Sequence, residues 1–96
     1  MSLVVLSPKA KSDLDDIWNY TLTEWGINQA EKYVRELWAS LQKLADNPSI
    51  SVDISQVRKG YRKSRVGSHV VFFKLTENGI NVVRILHRRM DFEQHI

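Results

Sequence analysis

Two helix-patterned segments separated by about two residues constrain this chain more than any other feature, because helices so closely joined must run antiparallel. In the first, Ala10, Leu14, Ile17, Trp18, Thr21 and Trp25 recur near one face at helical spacing. Ser7 supplies an N-cap hydroxyl, and Pro8 sits at the first helical position, where its missing N–H costs nothing. Gly26 suits a left-handed C-cap. The second segment carries a cleaner stripe of Ala30, Tyr33, Val34, Leu37, Trp38, Leu41, Leu44 and Ala45, and Asn47-Pro48 stops it. Asn28 and Glu31 have the spacing of a capping box. Residues 8–46 therefore read as a helical hairpin, with Trp18, Trp25, Tyr33 and Trp38 assigned to its packed face.

The flanking segments have strand character. Leu3-Val4-Val5-Leu6 is a short apolar run that reads as a buried strand. Residues 47–59 read as a polar loop with Ile50, Val52, Ile54 and Val57 as anchors. Tyr61–Val66, His69–Leu75 and Ile80–Leu86 read as strands joined by turns at Gly67-Ser68 and Asn78-Gly79, the latter a type I′ signal. Alternation places Val71, Phe73 and Leu75 on one face and Val70, Phe72 and Lys74 on the other. The fold class that follows is α+β: an N-terminal strand and an antiparallel helical hairpin packed on a small, mainly antiparallel sheet, in the order β-α-α-β-β-β. Ninety-six residues suffice for one domain and one modest core, so residues 1–96 form a single unit.

Composition narrows the function classes. There is no cysteine, which excludes disulfides and thiolate metal sites and fits a reducing compartment. The only N-terminal apolar run is four residues long, too short for a signal peptide or a spanning helix, so a soluble, cytoplasmic protein without membrane contact is expected. His69, His87 and His95 have no metal-ligand spacing, and no cofactor motif is present.

Charge is sorted along the chain. Residues 58–96 hold nine Lys/Arg against three acids, whereas residues 1–57 hold five against eight. A domain that segregates charge in this way presents a basic surface suited to an anionic partner. Arg62 and Lys63 point to opposite faces of one strand, and Lys63 and Arg65 share a face. Arg84, Arg88 and Arg89 lie on or just beyond the last strand. His87, at that strand's end, reads either as a general acid/base or as a histidine bonded to backbone. The acids Asp13, Asp15 and Asp16, near the start of the first helix, read as surface charges favoured by its dipole.

Taken together, LSPKAKSDLDDIW at 6–18, WGINQA at 25–30, NP at 47–48, RKGYRK at 58–63, GSHVVFF at 67–73 and VRILHRRMD at 83–91 resemble the ParE toxins of the RelE/ParE superfamily. The likeness spans essentially the whole chain. It implies a toxin of a type II toxin–antitoxin system, held inactive in a hetero-oligomer by a ParD-like antitoxin and acting as a stoichiometric poison of DNA gyrase that engages gyrase, its bound DNA, or both. The target-binding set carried with that expectation is Arg62, Lys63, Arg65, Arg84, His87, Arg88 and Arg89, with no catalytic residue assigned. RelE-type relatives instead cut messenger RNA on the ribosome, using an arginine inside the third strand and a tyrosine or histidine near the chain end. Here that strand reads His69-Val70-Val71-Phe72-Phe73, and the C-terminal stretch has no tyrosine. Without charge stabilisation such a nuclease forfeits about 10²-fold or more per missing donor. The remaining readings are that nuclease and a non-toxic nucleic-acid-binding module.

Overall fold

The computed structural model describes residues 2–95. Strand β1 (Leu3–Leu6) leads into helices α1 (Pro8–Trp25) and α2 (Ile27–Asp46); β2 (Val52–Asp53), β3 (Tyr61–Val66), β4 (His69–Thr76) and β5 (Gly79–His87) follow. The five strands form one sheet in the order β1-β5-β4-β3-β2. All pairings are antiparallel except β1 with β5, which is parallel and aligns Leu3 with Gly79 and Leu6 with Val82. A parallel neighbour requires a crossover, and the helical hairpin is that crossover.

The helices cover one face of the sheet. Ala10 and Ile17 of α1 and Leu37, Leu41 and Leu44 of α2 pack with Val71, Phe73, Ile80, Val82 and Ile85. A second cluster of Ile54, Tyr61, Phe72 and Leu86 occupies the outer face, where Phe92 stacks on Phe72 with ring centroids 4.9 Å apart. Phe72 and Phe73 are therefore both buried, although alternation sends them to opposite sides.

Local chemistry explains the helix boundaries, with corrections to the sequence reading. Ser7 Oγ accepts from Ala10 N–H at 3.0 Å and donates to the Val83 carbonyl at 2.7 Å, capping α1 and fastening it to β5. Gly26 has φ 89° but ψ 174°, a positive-φ conformation away from the left-handed helical ψ, and this one glycine closes α1 and opens α2. Asn28 consequently lies inside α2, and no side-chain capping box forms. The turn after β4 is centred on Glu77 and Asn78 rather than Asn78-Gly79, since Thr76 pairs with Gly79. Neither Asn78 nor Gly79 has positive φ, so the turn is not type I′. Gly79 is needed for a different reason: a Cβ there would collide with the backbone oxygen and nitrogen of Leu3.

Other expectations change with burial. As an edge strand with one neighbour, β1 is only half covered; Leu3 and Val5 are exposed. Trp25 and Trp38 leave the core, Trp25 being 71% exposed at the hairpin turn and Trp38 lying on the flank of the Leu37–Leu41–Leu44 stripe. Leu75 is exposed at the sheet's end. Of the four expected loop anchors only Ile54 is buried, and the segment contributes the short β2 as well as a turn of 3₁₀ helix at Pro48–Ile50.

Gly79 and Gly60 give contrasting tests of these constraints. Gly60→Ala meets open space at φ +81° and should cost only the backbone penalty, about 1–2 kcal/mol. Gly79→Ala should displace β1 and cost about 3 kcal/mol or more, read from urea midpoints at unchanged m-value.

Candidate functional site

Beyond Leu6, strand β5 has no strand neighbour on one side, and α1 takes that place. The Asp13 carboxylate accepts from Ile85 N–H at 2.9 Å and from Arg84 Nε and Nη2, both at 2.8 Å. Arg84 Nη1 also donates to the His95 carbonyl at 3.2 Å. Both charged side chains are largely buried, at 15% and 11% exposure, and the Asp13 hydrogen bond raises the guanidinium pKa further above its ordinary value. Asp13 is thus not a free surface acid, and the Arg84 charge is committed inside the protein.

A β-bulge shapes the same region. Phe73 pairs with Val82 but Phe72 with Arg84, so β5 carries one extra residue at Val83. The shift sets His87 directly opposite His69, with their rings edge-to-face at 5.5 Å. Arg89 N–H donates to His87 Nδ1 at 3.2 Å, which places the proton of the neutral ring on Nε2. His69 Nδ1 lies 2.6 Å from the Tyr33 hydroxyl, which also accepts from Ser68 N–H and donates to the Val66 carbonyl. Gly67, at φ +58° in the first central position of the β3–β4 turn, sits against the Tyr33 ring where a side chain would clash. Burial, then the neighbouring His87 charge, pushes the His69 pKa down to about 4. Burial also raises that of Tyr33.

These groups line a groove of about 840 Å³ between the helical hairpin and the ends of β4 and β5. Its polar floor is Tyr33, His69 and His87, and its apolar rim includes Tyr20, Trp25 and Met90, all exposed. Asp16 adds an acidic wall. A histidine with so low a pKa is a weak base at neutral pH. With Arg84 engaged by Asp13 and Asp16 nearby, the groove suits a largely apolar segment better than a phosphate. Among the described residues, no three His, Asp or Glu side chains are arranged to hold a metal ion.

The seven sequence-selected residues do not form one site. Lys63 and Arg65 share the outer sheet face in register with Phe72 and Val70. Arg62 bonds Ser51 through Nε and Nη2 and lies 3.6 Å from Asp53. Arg84 joins helix to strand, while His87 floors the groove and Arg88 and Arg89 are exposed in the turn beyond it. Sequence reasoning missed Asp13, Tyr33 and His69 as groove components, and it left Lys74 out of the target-binding set although it had placed that residue on the Phe72 face. Only Lys74 had a usable signal, since strand alternation from Phe72 places it there.

A small α+β domain with a helical hairpin crossing to a parallel edge strand is thereby defined. Its fold is similar to that of the chromosomal ParDE toxin–antitoxin system of P. aeruginosa, with a TM-score of 0.74 at 20% identity, covering 91% of this chain and 96% of that one. The chain belongs to the ParE toxin family, described as "ParE toxin of type II toxin-antitoxin system, parDE", whose profile matches residues 4–92. It is 44% identical over 96 residues to Toxin ParE1 of Mycobacterium tuberculosis, covering 99% of this chain and 98% of that protein. It is 41% identical over 91 residues to Toxin ParE1 of Caulobacter vibrioides, covering 95% and 94%. No helix among the described residues is long and apolar enough to cross a membrane.

Two measurements test the joint and the floor. Asp13→Ala strands a buried guanidinium and should cost about 3–5 kcal/mol, much of it recovered by adding Arg84→Met. Because folding lowers the His69 pKa, the unfolded chain binds this proton first. The stabilising contribution is complete above pH 6.5 and is lost as pH falls towards about 4. Urea midpoints should therefore fall more steeply between pH 7.5 and 4.5 for the native protein than for His69→Gln.

Proposed function

We propose that this chain is the toxin of a type II toxin–antitoxin pair, that a ParD-like antitoxin neutralises it, and that it acts as a stoichiometric poison of DNA gyrase in the cytoplasm. Membership of the ParE family over nearly the whole chain carries the reading. The antitoxin lies in the groove between hairpin and sheet, with apolar side chains against Tyr20, Trp25 and Met90 and polar acceptors at the His87 Nε2–H. Such a segment orders on contact at a cost of about 2–5 kcal/mol, offset by apolar burial. The basic sheet face and the Arg88-Arg89 turn remain for the target. A stoichiometric mode fits a site whose low-pKa histidine and committed arginine supply little for phosphodiester cleavage.

Purified protein added to gyrase and supercoiled plasmid should accumulate cleaved DNA in proportion to toxin, and co-purified antitoxin should suppress it. Codon-specific cuts in ribosome-bound message without any gyrase effect would replace this reading with that of a nuclease. Trp25→Ala should weaken antitoxin binding about 10–100-fold, as loss of an aromatic anchor does, while leaving the melting temperature nearly unchanged.

A further inference from the structure

The outer face of the sheet carries cations that form no ion pair with another described residue. By register, Tyr61 stands beside Lys74, Lys63 beside Phe72 and Arg65 beside Val70, so Lys63, Arg65 and Lys74 rise from the face that bears the Tyr61–Phe72 cluster. Lys63 Nζ lies 5.8 Å from the centroid of the Phe92 ring, and Lys74 Nζ 5.5 Å from that of Tyr61. Arg65 Nε donates to the Gly67 carbonyl at 3.1 Å. None of the three makes an ion pair; the ion pairs among the described residues are Arg62–Asp53 and Arg84–Asp13. Aromatic contacts hold a cationic head in place without cancelling its charge. The exposed acids Asp15, Asp16, Glu24, Glu31 and Glu36 lie on the helices, in the opposite layer, while exposed Asp91 and Glu93 flank Phe92 without forming an ion pair to another described residue.

From this juxtaposition we infer that Lys63, Arg65 and Lys74 form a binding site for the phosphate backbone of a nucleic acid, engaged by the toxin directly and without a partner protein. Its biological setting rests on the gyrase reading, where the enzyme's DNA would lie against this face; the binding itself does not. Lys63 and Arg65, two residues apart on β3, are separated by about 6.5–7 Å, comparable with successive phosphates along one strand. The aromatic rings beneath are occupied: Tyr61 and Phe72 are buried and Phe92 stacks on Phe72. Without a free stacking platform the face reads charge, not bases, so binding is independent of sequence.

Fluorescence anisotropy of a labelled 20-base-pair duplex of arbitrary sequence, and of a 20-nucleotide single-stranded RNA, tests the site between 25 and 200 mM KCl without gyrase present. Three phosphate contacts predict a slope of log K against log salt near about −2.7 for the duplex and about −2 for the single strand. Lys63→Ala/Arg65→Ala/Lys74→Ala should bring that slope close to zero. Lys9→Ala/Lys11→Ala/Lys32→Ala, which removes the same charge from exposed helix positions, should leave it within about 0.5. Tighter binding to duplex assigns DNA as the source of the phosphates, and tighter binding to the single strand assigns RNA. Equal losses in both triple variants would reduce the effect to net charge and overturn the site, as would binding to polyglutamate but to neither nucleic acid. Both triples are surface changes, and circular dichroism with thermal melting confirms that each is folded before binding is read. A gyrase assay of the same variants separates the two proposals: poisoning that fails in the native protein refutes the gyrase reading while leaving the backbone site standing.

Discussion

Three donors converge on the Asp13 carboxylate, and the attachment of helices to sheet depends on them. Strand β5 is paired by β4 from end to end except at the Val83 bulge, but β1 reaches only as far as Val82 on its other side. Past that point the backbone of β5 would present an open edge, which proteins must cover or pair. Ser7 Oγ takes the Val83 carbonyl and Asp13 takes Ile85 N–H, so the first two turns of α1 complete the ladder with side chains. Burying a carboxylate for this purpose would be costly alone. The bidentate Arg84 contact offsets the penalty, and the geometry of a planar guanidinium facing a carboxylate fixes the helix in register with the strand.

Once the hairpin is fixed there, charge segregation follows from layering. The inner face of the sheet is closed by Leu37, Leu41 and Leu44, leaving no place for a charge except at its margins. Arg62, whose neighbour Phe73 belongs to that inner core, reaches the margin and pairs with Asp53. The outer face has only a thin cover, from Ile54 and Phe92. There, the Lys63 and Lys74 ammonium groups lie over the Phe92 and Tyr61 rings, contacts that hold the cations in place without neutralising them. An acidic helical layer and a basic sheet layer can thus serve two different surfaces, a mainly apolar groove and an electrostatic face, on one small fold.

The helices were legible because their signals are local. Ser7, Pro8, the stripe of α2 and the stop at Asn47-Pro48 each act within a turn or two, and the structure keeps them. What the sequence concealed depends on residues far apart. The parallel placement of β1 brings the Leu3 backbone so close to residue 79 that only glycine fits there, a contact no periodicity announces. The His69–His87 pair exists only because of the extra residue at Val83; an unbroken ladder from the same turn would have set His69 opposite Leu86. Asp13 and Arg84 are 71 positions apart, and the acid's place near a helix start offered a sufficient local explanation that proved incomplete. Trp25 fitted the helical face by spacing, yet the sheet ends before the hairpin turn does, leaving the ring on the groove's rim.

Arg84 shows why a cluster of cations in sequence is not a cluster in space. Its neighbours in the chain's basic third suggested a contact with a target, but two of its nitrogens face Asp13 and a third holds the His95 carbonyl. Redirecting that guanidinium towards an external anion would leave Asp13 buried with an uncompensated charge and release the C-terminal segment that keeps Phe92 near Phe72. The groove and the outer face are therefore both supported by one arginine that belongs to neither. Lys63, Arg65 and Lys74 differ in the one respect that matters for recognition: they form no ion pair with another described residue, so engaging a phosphate breaks no salt bridge of the fold.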